Sequence, residues 1–106
     1  METVYQKEDK VLILKITEEL YHHTVEKIRR NADYEIEKYI PRKVILDFNK
    51  VSFMDSAGIG LILGRYKNVS ILGGKLEVVN VSEQVKKILN MSGLSRLIEI
   101  NKEECA

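Results

Sequence analysis

Short apolar runs alternate with segments of helical periodicity along this chain, and the alternation restricts the possible folds more than any other feature. Residues 11–16, 43–48 and 75–79 are short runs rich in branched side chains. Runs of this length favour strands over helices, and the near-continuous run at 11–16 indicates a strand that is covered on both faces. Strands that alternate with helices form a sheet with at least some parallel pairs and right-handed crossovers. The sequence therefore predicts an α/β fold.

The helical segments have recognisable ends. Between residues 25 and 39, apolar side chains recur every three or four positions, which places them on one side of a helix. Pro41, the only proline, disfavours a helical conformation at the residue before it and ends this helix. Ser82 is placed to cap a later helix that runs to about Met91, and Gly93 is placed to end it.

Three weaker segments complete the prediction. Val4 and Tyr5 are expected to form an edge strand ahead of residues 11–16, and residues 97–100 a last short strand. Residues 101–106 are expected to be a loose end. A length of 106 residues fits one domain over residues 1–106.

Composition and charge exclude several classes of protein. With 44% hydrophobic and 31% charged residues, the chain has the composition of an ordinary globular domain. A formal charge of +1 gives no basic field for nucleic acid. No apolar run is long enough to span a bilayer, and the N-terminus lacks the pattern of a signal peptide. The single cysteine, Cys105, fits a reducing compartment, so we expect a cytoplasmic protein.

Residues 51–64 follow the second strand and begin the central helix. Ser56 lies at this junction, and serine is a favoured N-cap because its hydroxyl accepts a hydrogen bond from a free amide of the first turn. We interpret Ser56 as the N-cap and as an exposed phosphorylation switch at the positive end of the helix dipole.

The central helix has two different faces. At about 100° per residue, one arc is apolar and is predicted to face the sheet: Ile59, Ile62, Leu63, Tyr66 and Val69. The opposite arc is built mostly of small residues, which let another backbone approach closely. We interpret it as a docking surface beside Asp55 and Gly58, with Leu61 as the apolar anchor and Arg65 or Asn68 at the rim. Its residues are Ala57, Gly60, Leu61, Gly64, Arg65 and Asn68. The alternative is that the glycines permit tight packing within the same domain.

No catalytic or metal site emerges from the other motifs. The glycines at 58, 60 and 64 approach a dinucleotide fingerprint, but the third comes one place late and all lie inside the helix. A triad of Ser56, Asp47 and His22 or His23 has no local arrangement to support it. The histidines and Glu19 lack the spacing of metal ligands. Asp47 and Asp55 could form a magnesium site, but carboxylates in such loops more often accept hydrogen bonds from local amides.

Residues 47–58 and 62–67 resemble the anti-sigma factor antagonists of the STAS domain class, especially those of spore-forming bacteria. The pattern Met54-Asp55-Ser56-Ala57-Gly58 carries most of the resemblance. The resemblance covers nearly the whole chain and implies a mixed β-sheet of four to five strands with helices packed mainly on one side.

The resemblance also implies a function. The anti-sigma factor, an ATP-dependent serine kinase, would phosphorylate Ser56, and a metal-dependent serine phosphatase would reverse the modification. The unphosphorylated protein would bind the kinase and release a sporulation sigma factor. The chain itself would be no enzyme and would use no cofactor, nucleic acid or membrane.

Two residues depart from the family pattern. Tyr21 replaces an aspartate that lies near the serine in the family, and Glu18 replaces a glycine. Two alternatives therefore stay open: an antagonist in a stress pathway, and a module that binds a nucleotide or another small ligand.

Overall fold

The computed structural model describes residues 1–101, which form one mixed sheet and its connecting helices. The predicted loose end after Asn101, and Cys105 with it, lie outside the described residues. The elements in chain order are β1 (Glu2–Gln6), β2 (Val11–Lys15), α1 (Val25–Tyr39), β3 (Lys43–Asp47), α2 (Ser56–Ile71), β4 (Lys75–Val79), α3 (Glu83–Ser92), a 3₁₀ turn (Leu94–Arg96) and β5 (Glu99–Ile100).

The five strands lie in the order β1-β2-β3-β4-β5. β1 pairs with β2 in the antiparallel direction, as expected for a hairpin edge strand, and every later pair is parallel. Because each parallel strand follows its neighbour through a helix, right-handed crossovers place α1, α2 and α3 on the same face. The predicted α/β fold, with a mixed sheet and helices packed on one side, is confirmed.

The main core lies between the sheet and the helices. Alternate residues of the strands, such as Leu12, Leu46 and Val78, pack against Ile28 of α1 and Ile62 of α2. On the other face, Ile13 packs with Ile45 and Val79 in a second, smaller cluster. Ile13 is only 7% exposed. β2 is therefore covered on both faces, as predicted.

Most element boundaries agree with the periodicity. Helix α1 spans the predicted residues, and its chain reverses at Ile40, which has φ 44° just before Pro41. The Ser82 hydroxyl caps α3 by accepting a hydrogen bond from the Val85 N–H at 3.1 Å. Gly93 ends α3 with φ 83°. The last strand is shorter than predicted because the N–H groups of Leu97 and Ile98 both donate to the Leu94 carbonyl at 3.0 Å, so only Glu99–Ile100 pairs with β4.

Helix α2 is covered from two sides, by β4 and by α1. On the predicted inner arc, Ile62 and Val69 are buried. The rest of that arc is half-buried and packs against the main core, as predicted: Ile59, Leu63 and Tyr66. Leu61 and Arg65, predicted on the outer arc, are each only 5% exposed. That part of the prediction is wrong, because α1 packs against the side of α2 that was expected to be open.

The glycines of α2 meet different surroundings. A Cβ atom on Gly58 would lie 2.8 Å from Met54 Sδ and 2.9 Å from Met54 Cβ, which no side chain tolerates without movement. A Cβ atom on Gly60 or Gly64 would meet no other atom within 4 Å. The alternative interpretation, tight packing within the domain, therefore applies to Gly58 alone.

We expect Gly58→Ala to destabilise the fold by about 1–3 kcal/mol, because the added methyl group collides with Met54. Gly60→Ala, the matched control in the same helix, should stabilise it by up to about 1 kcal/mol through helix propensity. Urea unfolding of both variants measures the difference. Equal free energies of unfolding would contradict the close contact between Gly58 and Met54.

Candidate functional site

Two loops meet at the N-terminus of α2. The first follows β2 and the second follows β3, so both leave the carboxyl ends of neighbouring parallel strands. Leu20 and Met54 form a single parallel bridge between them. The Asp55 N–H donates to the Leu20 carbonyl at 3.1 Å. The start of α2 is thus held against the loop that precedes α1.

The side chain of Asp55 strengthens this junction. Its Oδ1 accepts a hydrogen bond from the Ala57 N–H at 2.8 Å, and its Oδ2 accepts one from the His22 N–H at 3.0 Å. We call this pair of bonds the Asp55 clamp. It caps α2 and binds the neighbouring loop with the same carboxylate.

Asp55, rather than Ser56, is therefore the N-cap of α2. Asp55 has the extended backbone of a cap residue, whereas Ser56 is the first residue of the helix. The prediction that Ser56 caps the helix is wrong by one position. Aspartate and serine are comparable N-caps, but only the carboxylate has a second oxygen for His22.

The clamp favours the ionised form of Asp55. Its pKa is lowered, first by the hydrogen bond from the His22 N–H and then by the one from the Ala57 N–H, against an opposing effect of desolvation. A carboxyl group whose pKa is lowered on folding contributes stability above its ordinary pKa and loses it as the pH falls through the lowered value. The clamp should therefore stay closed near neutral pH.

A second carboxylate joins the same two loops. Glu19 Oε1 accepts a hydrogen bond from the Ser52 N–H at 2.8 Å, and Oε2 accepts one from the Ser52 hydroxyl. The bond from the hydroxyl is the main cause of the lowered pKa of Glu19. The Ser82 hydroxyl lies 3.4 Å from the Ser52 carbonyl, which connects the cap of α3 to this junction.

Ser56 lies on the open side of the junction. Its side chain is exposed, and its hydroxyl makes no hydrogen bond to any residue within 1–101. Ala57 is half-buried beside it, and Gly60 is exposed one turn later. We call Ser56, Ala57 and Gly60 the switch surface. It offers a free nucleophilic oxygen beside the small residues Ala57 and Gly60.

Two of the predicted docking residues, Leu61 and Arg65, lie inside the domain. Arg65 Nε lies 2.7 Å from Asp33 Oδ1 of α1. The Asn68 amide donates to the same oxygen at 3.0 Å. Leu61 is part of the hydrophobic core. Leu61 is therefore not the apolar anchor of a docking surface, and Arg65 does not lie at an open rim. Both side chains are buried on the side of α2 that faces α1.

The ion pair of Arg65 is close but poorly aligned. Although Nε approaches Asp33, neither Nε nor Nη1 has a hydrogen-bond acceptor in the described part of the chain. Burial lowers the pKa of Arg65, and the Asp33 carboxylate acts in the opposite direction. This pair holds α1 and α2 together, and its burial keeps the Arg65 guanidinium away from a partner.

Aromatic rings flank the junction on the side of the first loop. Tyr21 stacks on His23 with ring centroids 5.8 Å apart, and Phe53 lies 6.0 Å from Tyr21. Neither the role of Phe53 nor the contact between Glu19 and Ser52 was predicted from the sequence. Only the contact between the loops makes these residues neighbours, and a single sequence carries no signal for it.

The Asp47 carboxylate accepts hydrogen bonds from the Asn49 N–H and the Asn80 amide, each at 3.0 Å, so it serves its own loops. Among residues 1–101, no group of three His, Cys, Asp or Glu side chains is placed to hold a metal ion. No helix in this range has the length and apolarity to cross a membrane.

A family sequence model and a known protein each match most of this chain. The sequence model of the STAS domain matches residues 2–104. The chain is 38% identical over 94 residues to an anti-sigma F factor antagonist from Paenibacillus polymyxa, covering 89% of this chain and 80% of that protein.

Solved structures are also similar. A candidate anti-sigma factor antagonist from Thermotoga maritima superposes with a TM-score of 0.85 at 25% identity, over 94% of this chain and 84% of that one. The antagonist SpoIIAA in its unphosphorylated form superposes with a TM-score of 0.74 at 33% identity, over 87% and 80%. Its phosphorylated form from Bacillus gives a TM-score of 0.66 at 32% identity, over 87% and 83%.

The Asp55 clamp makes a prediction about pH. The Asp55 carboxyl should titrate below its usual pKa of 3.8, and the amide resonances of His22 and Ala57 should shift with the same midpoint. NMR titration of the carboxyl carbon and of the amides tests this. Asp55→Asn is the control, because it removes the titrating group. An ordinary pKa, or amides that do not follow it, would refute the clamp.

Proposed function

The chain belongs to the STAS domain family, and from this premise we propose that it is an anti-sigma factor antagonist controlled by phosphorylation of Ser56. In the unmodified state it binds an anti-sigma factor that is itself a serine kinase, and so releases the sigma factor. The chain is a substrate and a binding protein rather than an enzyme. The observation that carries the proposal is the exposed, unbonded hydroxyl of Ser56 on a preformed surface.

The covalent step is an ordinary phosphoryl transfer. The kinase moves the γ-phosphoryl group of ATP to Ser56 Oγ. A new O–P bond forms, the bond to the β-phosphate oxygen breaks, ADP leaves, and the hydroxyl proton passes to a base of the kinase. A metal-dependent serine phosphatase hydrolyses the ester and restores the hydroxyl. The phosphorylated form of SpoIIAA supports the proposal, because its fold is similar to this one.

The phosphate acts on binding rather than on folding. It adds about −1.5 to −2 charges next to Asp55, which is already ionised. The first turn of a helix tolerates an anion, so the fold persists. An approaching partner, however, must desolvate the dianion or stay away from Ala57 and Gly60. A penalty of about 3 kcal/mol lowers affinity more than a hundredfold.

The proposed docking surface is smaller than the sequence suggested. It keeps the switch surface together with Asp55 at its edge, Gly64 and the outer part of Asn68. Gly58, Leu61 and Arg65 support this surface from within the domain, since all three are buried. Gly60 is exposed and Gly64 is half-buried, and the lack of a side chain at both positions lets the backbone of the partner approach closely.

The finer identity of the pathway is also part of the proposal. A sporulation sigma factor fits best, because the relative from Paenibacillus polymyxa is named an anti-sigma F factor antagonist. We place the protein in the cytoplasm, where sigma factors act. A second candidate is an antagonist in a stress pathway, since Tyr21 stands where the sporulation-type antagonists have an aspartate. Affinities for anti-sigma factors of the two classes would discriminate between them.

Substitutions of Ser56 test the switch. Ser56→Ala should bind the anti-sigma factor as tightly as the unmodified protein and resist inactivation by ATP. Ser56→Asp should bind at least about tenfold more weakly, since each factor of ten corresponds to only about 1.4 kcal/mol. Calorimetry measures both affinities. Equal affinities in the two variants would be incompatible with the proposal.

The site itself is tested by mass spectrometry. After incubation with the kinase and ATP, we expect a single phosphate on Ser56. Ser82 and Ser92 are internal controls, because Ser82 caps α3 and the Ser92 hydroxyl donates to the Leu89 carbonyl at 2.7 Å. Phosphate on either of them instead of Ser56 would overturn the assignment.

A further inference from the structure

A groove runs between the first turns of α1 and α2, next to Ser56. It has a volume of about 210 Å³ and is lined by Val25, Glu26 and Arg29 of α1 and by Ala57, Gly60 and Leu61 of α2. Ala57 and Gly60 belong to the switch surface as well. The groove therefore borders the switch surface that would carry the phosphate of a modified Ser56, and Arg29 is the only cation in its lining.

The two acidic partners of Arg29 each have at least one other basic or hydrogen-bond-donating partner. Its guanidinium pairs with Glu26 on one side, and Nη1 lies 3.7 Å from Asp33 on the other. Asp33 already receives Arg65 at 2.7 Å and Asn68 at 3.0 Å. Glu26 also has Arg30 at 3.6 Å. If Arg29 moves away, neither carboxylate is left without a positive or donating group.

The present contacts of Arg29 are also weak in energy. The side chains of Arg29 and Glu26 are 45% and 57% exposed, and ion pairs this exposed contribute little because solvent screens them. A phosphate dianion offers three acceptor oxygens and about twice the charge of a carboxylate, and the guanidinium fork matches its geometry. The exchange of Glu26 for the phosphate is therefore favourable.

From these contacts we infer that Arg29 forms an ion pair with the phosphate on Ser56. In this position the Arg29 side chain covers the groove between α1 and α2. The arginine side chain then crosses above Gly60, where there is open space. The groove is lost to a partner in the phosphorylated state. This inference rests on the proposed function for the origin of the phosphate, and it adds the way in which the phosphate alters the docking surface.

The test installs phosphoserine at position 56 during translation, so that no kinase or partner is required. The second ionisation of the phosphate is followed by ³¹P NMR against pH. Because an adjacent cation favours the dianion, Arg29→Gln should raise this pKa by about 0.5 or more relative to the phosphorylated parent protein. Arg29→Lys should keep part of the effect of the arginine.

Arg30→Gln is the matched control. Arg30 is the next residue of α1 and also lies near Glu26, but it does not line the groove. Its substitution should leave the phosphate pKa unchanged. Equal titrations of the parent and Arg29→Gln, or equal shifts in Arg29→Gln and Arg30→Gln, would overturn the inference. Thermal unfolding of the unmodified variants should match that of the parent protein, because Asp33 and Glu26 keep their other partners.

A binding experiment separates this inference from the proposed function. Phosphorylated Arg29→Gln should bind the anti-sigma factor several-fold more tightly than the phosphorylated parent, because the groove stays open. If phosphorylation weakens the binding of both proteins to the anti-sigma factor equally, the switch stands and the role of Arg29 fails. If the anti-sigma factor binds no form of the chain, the proposed function fails, while the ³¹P titration still decides the role of Arg29.

Discussion

The architecture of the site depends on one carboxylate that serves two separate stretches of backbone. Asp55 accepts hydrogen bonds from Ala57 in its own helix and from His22, which lies 33 residues earlier in the sequence. The first bond satisfies an amide that every helix leaves free at its start. The second fixes the direction in which α2 leaves the sheet. Ser56 follows directly after this fixed point, so its hydroxyl is presented outward although it takes no part in the support.

The remainder of the domain reinforces that presentation. The parallel strands bring the loops after β2 and β3 to the same edge of the sheet. Glu19 and Ser52 tie the loops together a second time. Between α1 and α2, Asp33 collects Arg65 and Asn68, which keeps the two walls of the groove at a fixed separation. The polar contacts are thus concentrated around a surface that is itself free of large side chains, and a single added charge can control such a surface.

The sequence predicted the parts of the structure that depend on local periodicity. The span of α1, the strand Lys75–Val79, the Ser82 cap and the stop at Gly93 all follow from spacing and from residue preference, and the structure agrees with them. Some parallel pairing with right-handed crossovers follows from the order of the elements. The packing of the helices on one face was implied by the resemblance to the STAS family rather than by that order.

The errors lie where tertiary contacts decide between local alternatives. Asp55 and Ser56 are both good N-caps, and the contact with a distant backbone amide selects Asp55. The period of α2 indicated two faces but not that α1 would cover one of them. Leu61 and Arg65 were therefore assigned to the wrong side. A helix packed on two sides needs apolar residues over a wider arc than the pattern of a surface helix suggests.

The central claim is that a phosphate on Ser56 changes a preformed surface while the fold stays as it is. The most direct measurement compares amide NMR spectra of the unmodified protein and of the protein carrying phosphoserine at position 56. The account predicts shifts confined to the neighbourhood of the Asp55 clamp and the groove, with core strand residues such as Leu12, Leu46 and Val78 unchanged. Shifts that extend through the sheet would show that the phosphate acts by rearranging the fold, and would contradict the account.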